Sequence, residues 1–144
     1  MQPDFDGFFR AYSDLYNRAL RGDADYSAIA ACFSSSFIAA GPQGVRCGQN
    51  DAAFRETLQN GYAFYRQIGT RSMSTVRCET VEIDAAHFMV KVFYCAEYQK
   101  ESAAPVTVDF DVTYLLETTQ GEPKIFAFIA GDEMDAYRRA GLID

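Results

Sequence analysis

With 144 residues, 12 Phe, 9 Tyr, no Trp and a net charge of −7 at pH 7, the chain suits a single domain over residues 1–144, burying about two-thirds of its unfolded surface. Lys and Arg are scattered rather than striped, and the acidic balance repels phosphate backbones, so nucleic acid is not an expected partner. The opening MQPDFDGFF lacks a positive n-region and a continuous apolar run, and no segment nears about 18 apolar residues, so no membrane association is expected and a cytoplasmic protein is.

The first helix is marked by Phe5, Phe8, Phe9, Tyr12, Leu15, Tyr16 and Ala19 at three- and four-residue steps, with Asp4 placed to cap it and Gly22 to end it. A shorter helix follows Asp23 or Asp25, carrying Tyr26, Ile29, Ala30 and Phe33, and Ser34-Ser35-Ser36 breaks it. Phe37-Ile38-Ala39-Ala40 reads as a short strand, and Gly41-Pro42-Gln43-Gly44 as a turn leading through Arg46-Cys47-Gly48 to a third helix. That helix, from about Asn50 to Gln67, presents Phe54, Leu58, Tyr62 and Tyr65 along one stripe and stops at Gly69. Arg66 and Arg71 flank its end as surface charges, with closure of the pocket over an anionic ligand as the alternative.

The remainder predicts strands over about Thr70–Ile83, His87–Tyr98, Val106–Glu117 and Lys124–Ala130, joined by short turns into an antiparallel meander. Helices first and strands last imply an α+β domain with the helices on one face of the sheet. In the Val106–Glu117 segment, Val106, Val108, Phe110, Val112, Tyr114 and Leu116 share one face, and Thr107, Asp109, Asp111, Thr113 and Leu115 the other. The His87–Tyr98 strand is apolar on both faces. A sheet that is apolar on both faces but helix-covered on one must bury the other, and a homodimer through the sheet is the simplest arrangement.

Cys32, Cys47, Cys78 and Cys95 are far apart, on a helix, a loop and two strands, and form no CxxC, so they read as free thiols. His87 is the only histidine, which excludes a multi-histidine metal site and leaves a single imidazole for any triad. It follows Asp84-Ala85-Ala86 at a strand start, a position for an exposed structural role. No metal and no cofactor is expected.

In its element order, and in the phrases Asn17-Arg18-Ala19-Leu20-Arg21-Gly22-Asp23, Phe37-Ile38-Ala39-Ala40-Gly41-Pro42-Gln43-Gly44 and Lys124-Ile125-Phe126-Ala127-Phe128-Ile129-Ala130-Gly131-Asp132, the chain resembles the nuclear transport factor 2-like superfamily over nearly its whole length. The resemblance implies a cone: a curved antiparallel sheet wrapped around three N-terminal helices, with a pocket at the wide end. The SnoaL-like cyclases and ketosteroid isomerases are the most similar branch. It implies a lyase, cyclase or isomerase acting on an apolar carbonyl compound. The superfamily also includes non-catalytic dimerisation modules, which makes a self-filled cone the alternative.

The isomerase base position falls on Gly41, which cannot accept a proton. The resemblance carries the isomerase's donor tyrosine to Tyr12 or Tyr16 and its strand aspartic acid to Asp109 or Asp111, so Asp109, Asp111 and Tyr16 are the expected catalytic groups. Tyr12, Phe33, Phe37, Phe54, Leu58, Tyr62 and Phe128 are the expected ligand-binding wall. Two acids at i and i+2 point to one face of a strand. On the concave face they would form a desolvated pair; on the convex face they would be solvent groups. An open cavity with convergent polar groups favours ligand binding, whereas a cone plugged by Phe54, Phe126 or Phe128 favours the module.

Overall fold

The computed structural model describes residues 3–143. Helix α1 spans Phe5–Leu20, and its first turn is closed by Asp4 Oδ1, which accepts from the Gly7 amide at 2.9 Å. Helix α2 is Tyr26–Ala30, with Asp25 at its N-cap. Strands β1 (Phe33–Gly41) and β2 (Gly44–Gln49) form a hairpin. Helix α3 (Ala52–Gln67) follows, capped by Asp51. Strands β3 (Thr70–Asp84), β4 (His87–Tyr98), β5 (Val106–Glu117) and β6 (Lys124–Ala130) come next, and α4 (Glu133–Arg139) last.

The six strands lie in the order β2-β1-β6-β5-β4-β3, with β2 and β3 as edges of a curved, unclosed sheet. All neighbours are antiparallel except β1 and β6, which run parallel. The parallel pair is possible because the long excursion from β2 through β5 separates the two strands in sequence, as a parallel connection requires. The expected antiparallel meander is therefore β3 to β6, and the hairpin is added to it through one parallel seam.

Three local expectations differ. Helix α2 ends at Ala30, so Phe33 is not on it but opens β1, and Ser34-Ser35-Ser36 continues that strand, where Ser34 Oγ donates to Glu117 Oε2 at 2.7 Å and Ser36 pairs with Gln49. Arg46-Cys47-Gly48 is the middle of β2 rather than a connection, so Cys47 is on a strand. Helix α4 was not expected; Asp132 caps it by accepting from the Asp135 amide at 3.0 Å, and Tyr137 anchors it among buried side chains.

The core lies between α1 and the concave face. Phe9 is fully buried, its ring 4.6 Å from Tyr114, while Phe5 meets Phe88 at 5.1 Å. Burying one such ring contributes about 1.5–3 kcal/mol. Polar clamps fix the helix on β3. The Asn17 amide donates to the Met73 carbonyl at 2.9 Å and accepts from the Met73 amide at 2.8 Å, occupying both backbone groups as a neighbouring strand would. Arg66, expected as a surface charge, donates to the Ala19 carbonyl at 2.8 Å and so satisfies the end of α1. Gly69, at φ +88, allows the turn from α3 into β3: a Cβ there would lie 2.7 Å from the Gln99 carbonyl oxygen.

The opposite face of the sheet carries a row in register across all six strands: Cys47, Ile38, Ala127, Leu115, Met89 and Val81. Beside it, Ile129 and Val45 are 54% and 69% exposed. Among the described residues, no helix is long and apolar enough to cross a membrane.

Candidate functional site

The helices leave the wide end of the cone unfilled, and a chamber of about 310 Å³ opens there. Eight of the nine tyrosines line it. Helix α1 supplies Tyr12 and Tyr16, which share a face because they are four residues apart. Helix α3 supplies Tyr62 and Tyr65, and these two with Tyr16 form a triad of rings with centroids 5.1, 5.5 and 5.9 Å apart. The concave positions of β4 and β5 bring Tyr94, Tyr98 and Tyr114, and α4 adds Tyr137. The Tyr94 and Tyr114 hydroxyls are hydrogen-bonded at 2.8 Å in the buried floor.

Burial pushes the phenols of Tyr12, Tyr16, Tyr62, Tyr65, Tyr94, Tyr98, Tyr114 and Tyr137 above their ordinary range, so they remain neutral O–H groups able to donate. Among the described residues, Glu133 is the one charged residue in the chamber wall. Burial pushes its carboxyl up as well. It stands at a junction: it also lines an outer vestibule of about 500 Å³ and a recess of about 210 Å³ under α4. The chamber meets the vestibule at Thr57, Tyr65, Phe128, Ala130 and Glu133, and the recess at Tyr98, Phe110, Val112, Glu133 and Tyr137.

Of the residues expected from the sequence, Tyr12, Tyr16, Phe33, Phe54, Leu58, Tyr62 and Phe128 line the chamber. Phe37 lines the vestibule instead, its ring 4.7 Å from Phe54. It lies under Gly48, where a Cβ would come within 2.5 Å of that ring. The cone is not plugged: Phe54 and Phe128 form wall, and Phe126 sits 6.0 Å from the His87 ring, away from the chamber.

The two aspartates require a correction. Asp109 and Asp111 are exposed, on the outward face opposite Cys95 and Phe93, while their neighbours Phe110 and Val112 line the chamber. The helices cover the Val106-Val108-Phe110 face, so strand alternation sends both carboxylates outward. Asp111 borders only the recess under α4. Gly41, the expected base position, lines the vestibule together with Asp132 and Glu133. His87 is at the surface, its Nδ1 2.8 Å from Asp84 Oδ1.

Glu133 and Tyr137 were missed. The available signal was Asp132, a cap residue directly after the last strand, followed by Glu133 and Tyr137 four residues apart on one helical face. Alternation puts Tyr94 and Tyr114 on one face of their strands, and the helices decide that this face is the inner one.

No curated protein matches the chain. Among solved structures it is similar to the β subunit of the benzoate 1,2-dioxygenase from Burkholderia mallei, at 16% identity, covering 100% of this chain and 97% of that one with a TM-score of 0.66. A protein of unknown function with a cystatin-like fold from Nostoc punctiforme shares 12% identity over 91% of this chain and 94% of its own, with a TM-score of 0.60. A ketosteroid isomerase-like protein from Erwinia carotovora atroseptica shares 16% identity over 84% and 90%, with a TM-score of 0.53. These likenesses establish the fold, as the curved sheet and its helices led one to expect. The sequence model of the family described as NTF2-like protein (DUF6841) matches residues 3–133, and the chain belongs to that family.

Proposed function

We propose that this protein binds a small, largely apolar molecule in the tyrosine-walled chamber. The observation that carries the reading is the open cavity itself. Its volume of about 310 Å³ lies at the lower end of the range of about 300–1,000 Å³ for small-molecule sites, and hydroxyls and one carboxyl converge on it. A self-filled cone would need a phenylalanine at its centre, and Phe54 and Phe128 instead line an open space. The enzymatic form of this reading is a lyase, cyclase or isomerase acting on an apolar carbonyl compound. With Asp109 and Asp111 outward, the donors to a carbonyl oxygen would be phenols, Tyr16 and the Tyr94–Tyr114 pair, acting as neutral hydrogen-bond donors.

The test is a titration of protein carrying carbon-13 in its tyrosine rings with 2-tetralone, followed by exchange of the ketone's α-hydrogens into heavy water. Binding predicts ring shifts at Tyr16, Tyr62 and Tyr65. Catalysis predicts protein-dependent exchange in which solvent water takes the α-proton and Tyr16 donates to the enolate oxygen, so that Tyr16→Phe slows it. Shifts without exchange leave a binding protein, and no shift at any chamber tyrosine contradicts the reading.

The protein is also proposed to be a homodimer through the outward face. The support is the apolar row of Ile38, Ala127, Leu115, Met89 and Val81 in register across the sheet, of which Ile38, Met89 and Val81 are exposed. Light scattering should return twice the chain mass of 16.1 kDa. Leu115→Glu, at the centre of the row, should return a monomer, and a wild-type monomer at micromolar concentration removes the proposal.

A further inference from the structure

The chamber contains one carboxyl and nothing of opposite sign. Among the described residues, no Lys or Arg lines it. Among the described residues, the Glu133 side chain makes no ion pair and no hydrogen bond, although it is only partly exposed. A carboxylate partly withdrawn from water with no protein partner is disfavoured in its charged form, and a proton or a nearby positive charge relieves it. Its surroundings favour the second outcome. The rings of Tyr98 and Tyr137 stand 6.0 Å apart beside it, and Tyr65 from the α3 triad completes that end of the chamber. Aromatic faces attract cations through their quadrupole, and more strongly where water is excluded. The net charge of −7 draws cations toward the molecule as a whole.

We propose that the chamber is a site for an organic cation, an ammonium group on a small apolar body, with its nitrogen held between the Glu133 carboxylate and the rings of Tyr65, Tyr98 and Tyr137. The inference rests on the reading of the chamber as the ligand site and is independent of whether a bond in the ligand is made or broken. If the ligand also carries a carbonyl, it is an amino-carbonyl compound, its nitrogen at Glu133 and its oxygen toward the phenols.

The linkage to pH has a definite sign. The groups facing Glu133 inside are the phenols Tyr65 of α3, Tyr98 of β4, Tyr114 of β5 and Tyr137 of α4. Toward the vestibule and the recess lie Arg46 of β2, Asp132 and Asp111. In the empty chamber burial pushes the Glu133 carboxyl pKa up. A bound cation favours the ionised form, so binding is linked to loss of the carboxyl proton and tightens as pH rises through the range where the empty site titrates. A neutral ligand that accepts a hydrogen bond from the protonated carboxyl behaves in the opposite way.

The experiment compares benzyltrimethylammonium with neopentylbenzene, its neutral isostere, on the wild-type protein, using tyrosine ring shifts to place the binding. The cation should bind at least about tenfold more tightly at about pH 8, with the preference shrinking at about pH 5 and in Glu133→Gln. Equal or tighter binding of the isostere at about pH 8 overturns the inference while leaving the chamber reading intact. A cation preference that survives unchanged in Glu133→Gln also overturns it. If neither probe nor 2-tetralone moves a chamber tyrosine, both readings fall together. The isostere comparison needs no variant, so it stands even if a substitution at Glu133 disturbs the fold.

Discussion

The two faces of β5 are built from alternate residues of one strand, yet they do opposite work. The inward set of Phe110, Val112 and Tyr114 walls the chamber, and Leu116 is fully buried behind it; the outward set of Asp109, Asp111, Thr113 and Leu115 lies on the other face, where Asp111 borders the recess under α4. The same division runs through β4, where Phe88, Val90, Val92 and Tyr94 are buried and Met89 is 36% exposed. Alternation therefore defines two faces but does not say which is concave. That choice belongs to the helices: Phe9 of α1 packs on Tyr114 and Asn17 clamps β3, and the residues they cover become the inside. Chemistry follows cover, so a pair of acids conspicuous in the sequence lies outside, and a single glutamate beyond the last strand lies within.

The sharpest contrast is between neighbours. Leu116→Ala, at a fully buried position, should cost about 2–5 kcal/mol, measured as a drop in urea midpoint at constant slope. Leu115→Ala, one residue away on the outward face, should cost about 0.5 kcal/mol or less in a monomer. A larger loss at Leu115 that depends on protein concentration would mark the outward face as buried between copies. Equal, concentration-independent losses would break the comparison.

Removing the clamp tests what sets the inside. Asn17→Ala leaves the amide and carbonyl of Met73 without their partner and should cost about 1–3 kcal/mol by the same denaturation measurement. No loss would mean that α1 is held by its rings alone.

A smaller effect separates the two kinds of carboxyl. Glu133 has a folded-state pKa raised by burial, so the protonated form favours the fold. Its stabilising contribution is fully present below the unfolded value of about 4.3 and is lost as pH rises through the folded one. Glu133→Gln, which cannot ionise, should therefore melt higher than wild type at about pH 8, and the gain should vanish at about pH 4. The outward pair should give the smallest response: Asp109→Asn and Asp111→Asn should each stay within about 0.5 kcal/mol and leave the chamber tyrosine shifts unmoved.

Much of the fold could be read directly from the residues. The three-and-four spacing from Phe5 to Ala19 marks α1, and the boundaries of β4, β5 and β6 follow from alternation broken by Asp84-Ala85-Ala86, Pro105 and Gln120-Gly121-Glu122-Pro123. Strand β2 was harder because Gly44–Gln49 is an exposed edge with little apolar alternation, so its identity comes from pairing with β1. Helix α4 is short, and its place depends on Tyr137 reaching a pocket made by Ile68, Ala96 and Tyr98, residues brought together only in the folded chain. The chamber was legible on its helical side, where Tyr12, Tyr16, Leu58 and Tyr62 recur at helical spacing. Its strand side and its carboxyl were not, because both depend on tertiary cover rather than on local pattern.

The central claim is that the unfilled end of the cone is where this protein meets its ligand, and a crystallographic soak with small amines and ketones tests it most directly. The account predicts fragments seated in the chamber, against Tyr16, Tyr65 and Glu133. Fragments gathered on the outward face around Met89 and Leu115, with the chamber closed by its own side chains, would contradict it.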